Sequence, residues 1–470
     1  PAQAPCRKND NSHPDSPTLL HWSCTVGPLW EESPVMPEQP QSKSFWKALG
    51  PGLLWAGAAV GVSHLVQSTR AGASFGLGLM GIVIFANIFK YPAFSFGPRY
   101  AAATGTSLLE GYRRQGRWAL VLYGFVTVAT MFTVQAAVSF VTAALFTALV
   151  GWKGAVFGIP GFVVISGVLM ALCAGLLLIG HYKWLDKIIK VVVVVLTLTT
   201  FLSTLVVLTK LPFTSFRILP EADWLTTTTT AVMICALIGW MPSAFDISIW
   251  HSLWTLARRR ETGVAPSVRN ALVDFNVGYI GTAILAICFI FMGASVMFHS
   301  GKEFAAAPPA FAAQIIQLYT ENLGAWTGPV VTISAFAVMF STTLTVVDGF
   351  PRALATLTAR FRSEEQPDVP DTISRKAYWV SLGTLYIGSL VVIQFFYESL
   401  KTMVDVATVL SLLTAPALAW LNHRAMTSDT VPVEARPSRG MRAFSWFGIA
   451  MSLLLALYFV GIRWVFPSGS

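Results

Sequence analysis

Long apolar runs separated by short, mostly basic connections set the pattern of this chain. The stretches 118–152, 191–209 and 443–462 carry no charge at all, and each is long enough to cross a hydrocarbon core of about 30 Å. The pattern predicts eleven spans, at 50–72, 75–97, 118–149, 154–180, 187–209, 225–256, 272–299, 324–347, 377–397, 402–421 and 443–466. The third exceeds what a perpendicular helix needs, so tilt or projection beyond the bilayer is expected. Two spans are punctuated at mid-depth. The first reads Gly50-Pro51-Gly52 and then Gly57-Ala58-Ala59-Val60-Gly61-Val62-Ser63-His64, and the sixth reads Ile238-Gly239-Trp240-Met241-Pro242-Ser243-Ala244-Phe245-Asp246. Broken backbone at this depth is tolerated only against protein or a water-filled cavity. Matched interruptions in two halves of a chain point to the binding site of a carrier. Spans one to five and six to ten each open with such a break, which predicts a five-plus-five inverted repeat with the eleventh span outside it.

Composition agrees: of 470 residues, 54% are hydrophobic and only 12% charged, about half the charged fraction of soluble domains. The net charge of +9 reflects placement and does not imply a nucleic-acid partner. With the N-terminus cytoplasmic, 22 of the Lys and Arg residues flank inner connections and 6 flank outer ones, a positive-inside bias that places the C-terminus outside. Residues 1–44, rich in Pro, Ser, Glu and Gln, are expected to form a disordered cytoplasmic tail. The transport core is expected over 45–425, with a linker and the eleventh span over 426–470. The loop at 361–376 is expected to be solvated, and the connection 300–323 to carry a short helix. Three of the five cysteines lie in apolar spans and no disulfide is expected. There is no Walker-type loop, zinc-spaced cluster or nucleophile–base set, so the chain reads as a gradient-driven carrier of the plasma (cell inner) membrane, with no cofactor and not as an enzyme.

The residues from Gly50-Pro51-Gly52 through Ala71-Gly72-Ala73, together with Met241-Pro242 and Ser341-Thr342-Thr343, resemble the NRAMP family of proton-coupled divalent metal transporters. The resemblance implies an all-α integral membrane protein of the LeuT type, with helices 1 and 6 broken, and transport of a divalent metal ion with protons by alternating access. The family's first break is normally Asp-Pro-Gly-Asn; here Gly61 stands at the Asp and His64 at the Asn. The sixth-helix methionine falls on Met241, the family's carbonyl ligand on Ile238, and its following histidine on Ser243. The third-span acidic pair is replaced by Gln135 and Val138.

Chemically, His64 can bind a borderline metal, carry a proton or donate hydrogen bonds, or it is a buried histidine satisfied by a released carbonyl. Asp246 either supplies the negative charge that Gly61 lacks, or pairs with Arg70 or caps the second half-helix. Met241 offers a soft thioether. Ser63, Gln67 and Ser243 can complete a shell around an ion, giving a tentative metal set of His64, Met241 and Asp246. Arg70 and Lys90 are expected to snorkel to the outer and inner surfaces; alternatively Arg70 attracts an anion or stands in for a bound cation. Asp274 and Asp348 either line an inner exit or, for Asp348, pair with Arg352. A carrier of a small organic solute or anion on the same fold is the alternative, and a transport-inactive sensor a third class.

Overall fold

A computed structural model describes residues 50–151, 154–155, 158–179, 183–210, 217–221, 224, 227–305, 307–362, 374–396 and 399–465. The expected disordered tail, most of the 361–376 loop, and Cys6 and Cys24 lie outside these residues. The regular elements are helices. The first span is α1 (Pro51–Ala59), an opened stretch at 60–62, a π-helical turn (Ser63–Ser68), and α2 (Thr69–Phe75). Pro51 suits the first turn of α1, where its missing N–H costs nothing. The orphan N–H groups there are met from a distance: Asp274 accepts from the amides of Gly52 at 2.6 Å and Gly50 at 3.3 Å. After α3 (Met80–Thr104) and the short α4 (Leu108–Gln115) come α5 (Arg117–Val150), α6 (Gly161–Ile179) and α7 (Lys183–Lys210). The second break separates α8 (Thr228–Gly239) from α9 (Asp246–Thr262) and holds a cis peptide at Met241-Pro242. The remaining helices are α10 (Val268–Val296), α11 (Pro308–Leu323), α12 (Thr327–Arg362), α13 (Arg375–Phe396), α14 (Leu400–Thr427) and α15 (Arg439–Val465). The connection expected to carry a short helix holds α11.

Among the described residues eight helices are long and apolar enough to cross a membrane alone: α3, α5, α6, α10, α12, α13, α14 and α15. Two of the other three expected spans, the first and the sixth, are divided by their breaks; the fifth is the continuous helix α7, whose described side chains include the apolar stretch Val194–Thr209. Burial sorts the helices into layers. In their apolar windows α3, α5 and α10 are 67–72% buried, whereas α13 and α15 are 22% and 28% buried. The latter two therefore form the rim, with Phe395, Leu454 and Leu457 turned outward.

Helix α10 touches both halves of the first broken helix at van der Waals limits. A Cβ at Gly278 would lie 2.4 Å from the Gly52 carbonyl oxygen, and one at Gly293 would lie 2.3 Å from that of Thr69. Small residues at such crossings let backbones approach where lipid gives no hydrophobic drive. Between the spans, Glu110 of α4 is 1% exposed and is held by Arg113, Arg114 and, at 3.3 Å, Arg360 of α12. Burial alone would raise its carboxyl; hydrogen bonds from Arg113 and the charges of Arg360 and Arg113 bring it below the ordinary value.

Gly278→Leu is expected to cost about 1–3 kcal/mol or more through overpacking. Gly281→Leu on the same helix, where nothing lies within 4 Å, should stay within about 0.5 kcal/mol; thermal unfolding of the two in detergent measures the contrast. The depressed Glu110 contributes stability that is full above the ordinary 4.5 and is lost as pH falls through its folded-state value. Acid-unfolding curves should therefore show wild type losing its advantage over Glu110→Gln only below that range.

Candidate functional site

The two breaks meet around one cavity of about 40 Å³, room for roughly three water-sized occupants. The first break contributes Ala58, Ala59, Val62 and Ser63. The second contributes Trp240, Ser243, Ala244, Asp246, Ile247 and Trp250. Val134 and Val138 of α5, with Thr342, Val346 and Phe350 of α12, close the walls. Asp246 is 1% exposed, and among the described residues neither of its carboxylate oxygens has a hydrogen-bond partner. The indole N–H of Trp250, one turn further along α9, is also unpartnered. An acceptor and a donor at i and i+4 share one helix face, so a small polar occupant of the cavity has groups to meet.

The first break is held by a chain of polar contacts. Ser63 Oγ donates to the Ala59 carbonyl at 2.7 Å and lies 2.7 Å from His64 Nδ1. His64 Nε2 donates to the Thr282 carbonyl of α10 at 2.9 Å. Both ring nitrogens are thus engaged within the protein, and His64 does not line the cavity. Gly61 sits against Thr342: a Cβ there would lie 3.0 Å from the Thr342 methyl and 3.1 Å from its hydroxyl. That hydroxyl also bonds the carbonyls of Gly57 and, at 3.4 Å, Val60. The position where the family resemblance implies a carboxylate is packed for none.

At the second break Met241 is fully buried and Ile238 nearly so, yet neither lines the cavity. The Ile238 carbonyl accepts from Lys90 Nζ of α3, as does that of Gly239 at 3.2 Å. Lys90 is 1% exposed and does not snorkel to the inner surface as expected, because the closing carbonyls of α8 offer its head acceptors at depth, that of Ile238 also accepting from the Met241 amide at 3.1 Å. Arg70 pairs with Asp405 of α14, at 2.5 Å with side chains 7% and 16% exposed, and borders a wide pocket shared with Lys302, Glu303 and Lys401 of the connections expected outside. Asp246 is therefore neither the partner of Arg70 nor a hydrogen-bonded cap. Gln67 Nε2 lies 3.4 Å from both Asp405 and Thr408, and Gln135 bonds Ser139 at 2.7 Å. Asp274 is a cap for α1. Asp348 pairs with Arg352 at 2.8 Å and accepts from Tyr378 at 2.9 Å.

Of the expected set, Ser63, Ser243 and Asp246 converge on one space, while His64, Met241, Ile238 and Gln67 surround it without facing it. Among the described residues no group of three or more His, Cys, Asp or Glu side chains is placed to hold a metal. Sequence reasoning missed Asp405, although an acid inside an apolar span is itself a signal. It also missed the role of Lys90, for which only its mid-span position gave a hint.

Comparison with known proteins assigns the scaffold. Residues 52–461 match the family model for natural resistance-associated macrophage protein-like (Nramp) sequences, and the chain belongs to that family. An uncharacterized protein of Pasteurella multocida is 33% identical over 392 residues, covering 81% of this chain and 86% of that protein. Among solved structures, the Eremococcus coleocola manganese transporter, in complex with an aromatic bis-isothiourea compound, superposes with a TM-score of 0.62. It is 14% identical, with 93% of this chain and 91% of that one covered. MhsT in complex with L-phenylalanine gives a TM-score of 0.56 at 15% identity, over 88% and 97% of the two chains. These likenesses establish an all-helical, LeuT-type membrane fold.

Breaking the Arg70–Asp405 pair by Arg70→Met or Asp405→Leu alone strands a largely buried charge. Each single change should destabilise by up to about 3 kcal/mol, less than a fully buried pair because Asp405 retains some exposure. The double change should recover part of that loss, as read from a double-mutant cycle of melting temperatures.

Proposed function

We propose that this member of the Nramp family is a secondary active transporter that moves a divalent metal ion of the manganese or iron type by alternating access, coupled to protons. Asp246 carries the reading: a buried carboxylate with no hydrogen-bond partner among the described residues, in a cavity of about 40 Å³ between two broken helices. Burying such a charge unpaired costs several kcal/mol, and a divalent cation offsets that cost. The hydroxyls of Ser63 and Ser243 and bound water supply the neutral oxygens. Met241 and His64 stand behind the break, and they reach the ion once the half-helices rearrange and His64 exchanges a protein hydrogen bond for it. The manganese transporter from Eremococcus coleocola, with the same fold, supports the substrate class. The positive-inside bias supports a cytoplasmic N-terminus and an external C-terminus, and the plasma membrane is the location this reading assigns.

A second reading, transport of a small organic solute on the same scaffold, draws support from the engagement of both His64 nitrogens and from the aromatic walls Trp240, Trp250 and Phe350. Uptake of radiolabelled Mn²⁺ into proteoliposomes separates the two. Asp246→Asn should lower uptake about tenfold or more, the loss of roughly 1.4 kcal/mol of ion stabilisation. No uptake by the wild-type protein would sink the metal reading. Equal uptake with and without a pH gradient would remove proton coupling.

A further inference from the structure

The last carbonyls of a helix have no intrahelical partner and carry partial negative charge. In a broken membrane helix that end lies at depth, and in carriers of this architecture it is a place where a coupling cation binds. Helix α8 ends in this way at Ile238 and Gly239, but its carbonyls are already served. Lys90 comes from α3, 148 positions earlier in the chain, and places its Nζ on both oxygens. Its third direction is taken by the face of Phe245, whose ring centroid lies 5.3 Å away. Phe245 is fixed from behind by Phe94, stacked at 4.7 Å with an interplanar angle of 15°. Phe94 is four residues after Lys90, so one face of α3 supplies both the cation and the support of its aromatic seat.

Two carbonyls and one ring face account for the three N–H groups of an ammonium. A neutral amine would direct its lone pair at one of these electron-rich partners. Among the described residues the contacts of Lys90 Nζ are these three, and none is a carboxylate. An ammonium buried without a counter-charge is expensive as a mere strut between helices. The partners it has are those a mobile cation would use.

We propose that Lys90 is a built-in cation that fills the carbonyl end of α8, so that this end of the broken helix takes no mobile inorganic cation. Two consequences follow for the carrier. Sodium has no seat at this end, and the Ile238 carbonyl is not a ligand of the transported ion while Lys90 is in place, which leaves that ion to the Asp246 side of the break. The assignment rests on the carrier reading but not on which ion is carried.

The test is a melting-temperature series on the purified full chain in Na⁺, Li⁺, K⁺ and choline salts of equal ionic strength, with methylammonium as a probe. Wild type should vary by no more than about 1 °C across the series. Lys90→Ala should melt lower in choline and regain roughly 2 °C or more, saturably, with methylammonium or a small alkali cation. Lys90→Met, which fills the same space without charge, should melt low and regain nothing. Recovery of folded Lys90→Ala only when methylammonium is present also supports the assignment. It is overturned by saturable stabilisation of wild type by Na⁺ or Li⁺. It is equally overturned if Lys90→Ala is indifferent to every cation, or if it cannot be recovered folded even with methylammonium; Lys90 is then only a tie between helices. Loss of Mn²⁺ uptake by wild type would remove the metal reading and leave this comparison intact.

Discussion

Backbone hydrogen bonding at depth is the constraint on which the rest of this structure hangs. A helix interrupted inside a membrane releases N–H and C=O groups that lipid cannot satisfy, and several backbone groups at the ends of the broken helices find partners on other helices. Asp274 meets the amides that open α1, the Thr342 hydroxyl meets carbonyls at its close, and His64 ties the π-helical turn to Thr282. Lys90 meets the carbonyls that end α8. The two breaks are satisfied differently: the closing carbonyls of α1 by a neutral hydroxyl, those of α8 by a side chain of the Lys type. Asp246 is the exception, and the only site group with a full charge capacity and no internal partner is the one that faces the cavity.

Much of the scaffold was legible in the sequence. Clusters of Gly and Pro within apolar runs marked both interruptions, whereas isolated prolines sit inside the continuous helices α3, α12 and α14. The expected span at 118–149 matched α5 to within one residue at each end, while α15 begins four residues before the expected 443. The site was legible only in part. Ser63, Ser243 and Asp246 could be placed together from their positions beside the breaks. The rotation that turns His64 toward α10 depends on a π-helical turn that no local pattern announces. Lys90 was misread and the partner of Arg70 was missed for the same reason: what a long basic side chain reaches depends on an acceptor far away in sequence, the end of α8 in one case and Asp405 in the other.

The departures from the family's ligand pattern form a coherent set. Gly61 has lost the carboxylate, and Thr342 packs against the vacated position. The Ile238 carbonyl has gained an amine donor. On the proposed reading, the site's negative charge is that of Asp246 in the second break, where the family resemblance implies one in the first. An ion held there as proposed would rely on one carboxylate, hydroxyls and water, a harder donor set than one centred on a thioether.

The close approach of α10 to both halves of the first broken helix has a mechanical consequence. Gly278 lies under Gly52 near one end of α10, and Gly293 lies under Thr69 near the other. The halves are therefore laid along a common splint. Lifting either arm from this splint costs a backbone contact of the same closeness, and lifting α1 also frees its leading amides from Asp274. Bending at the first break is therefore resisted at both arms, and more strongly at α1.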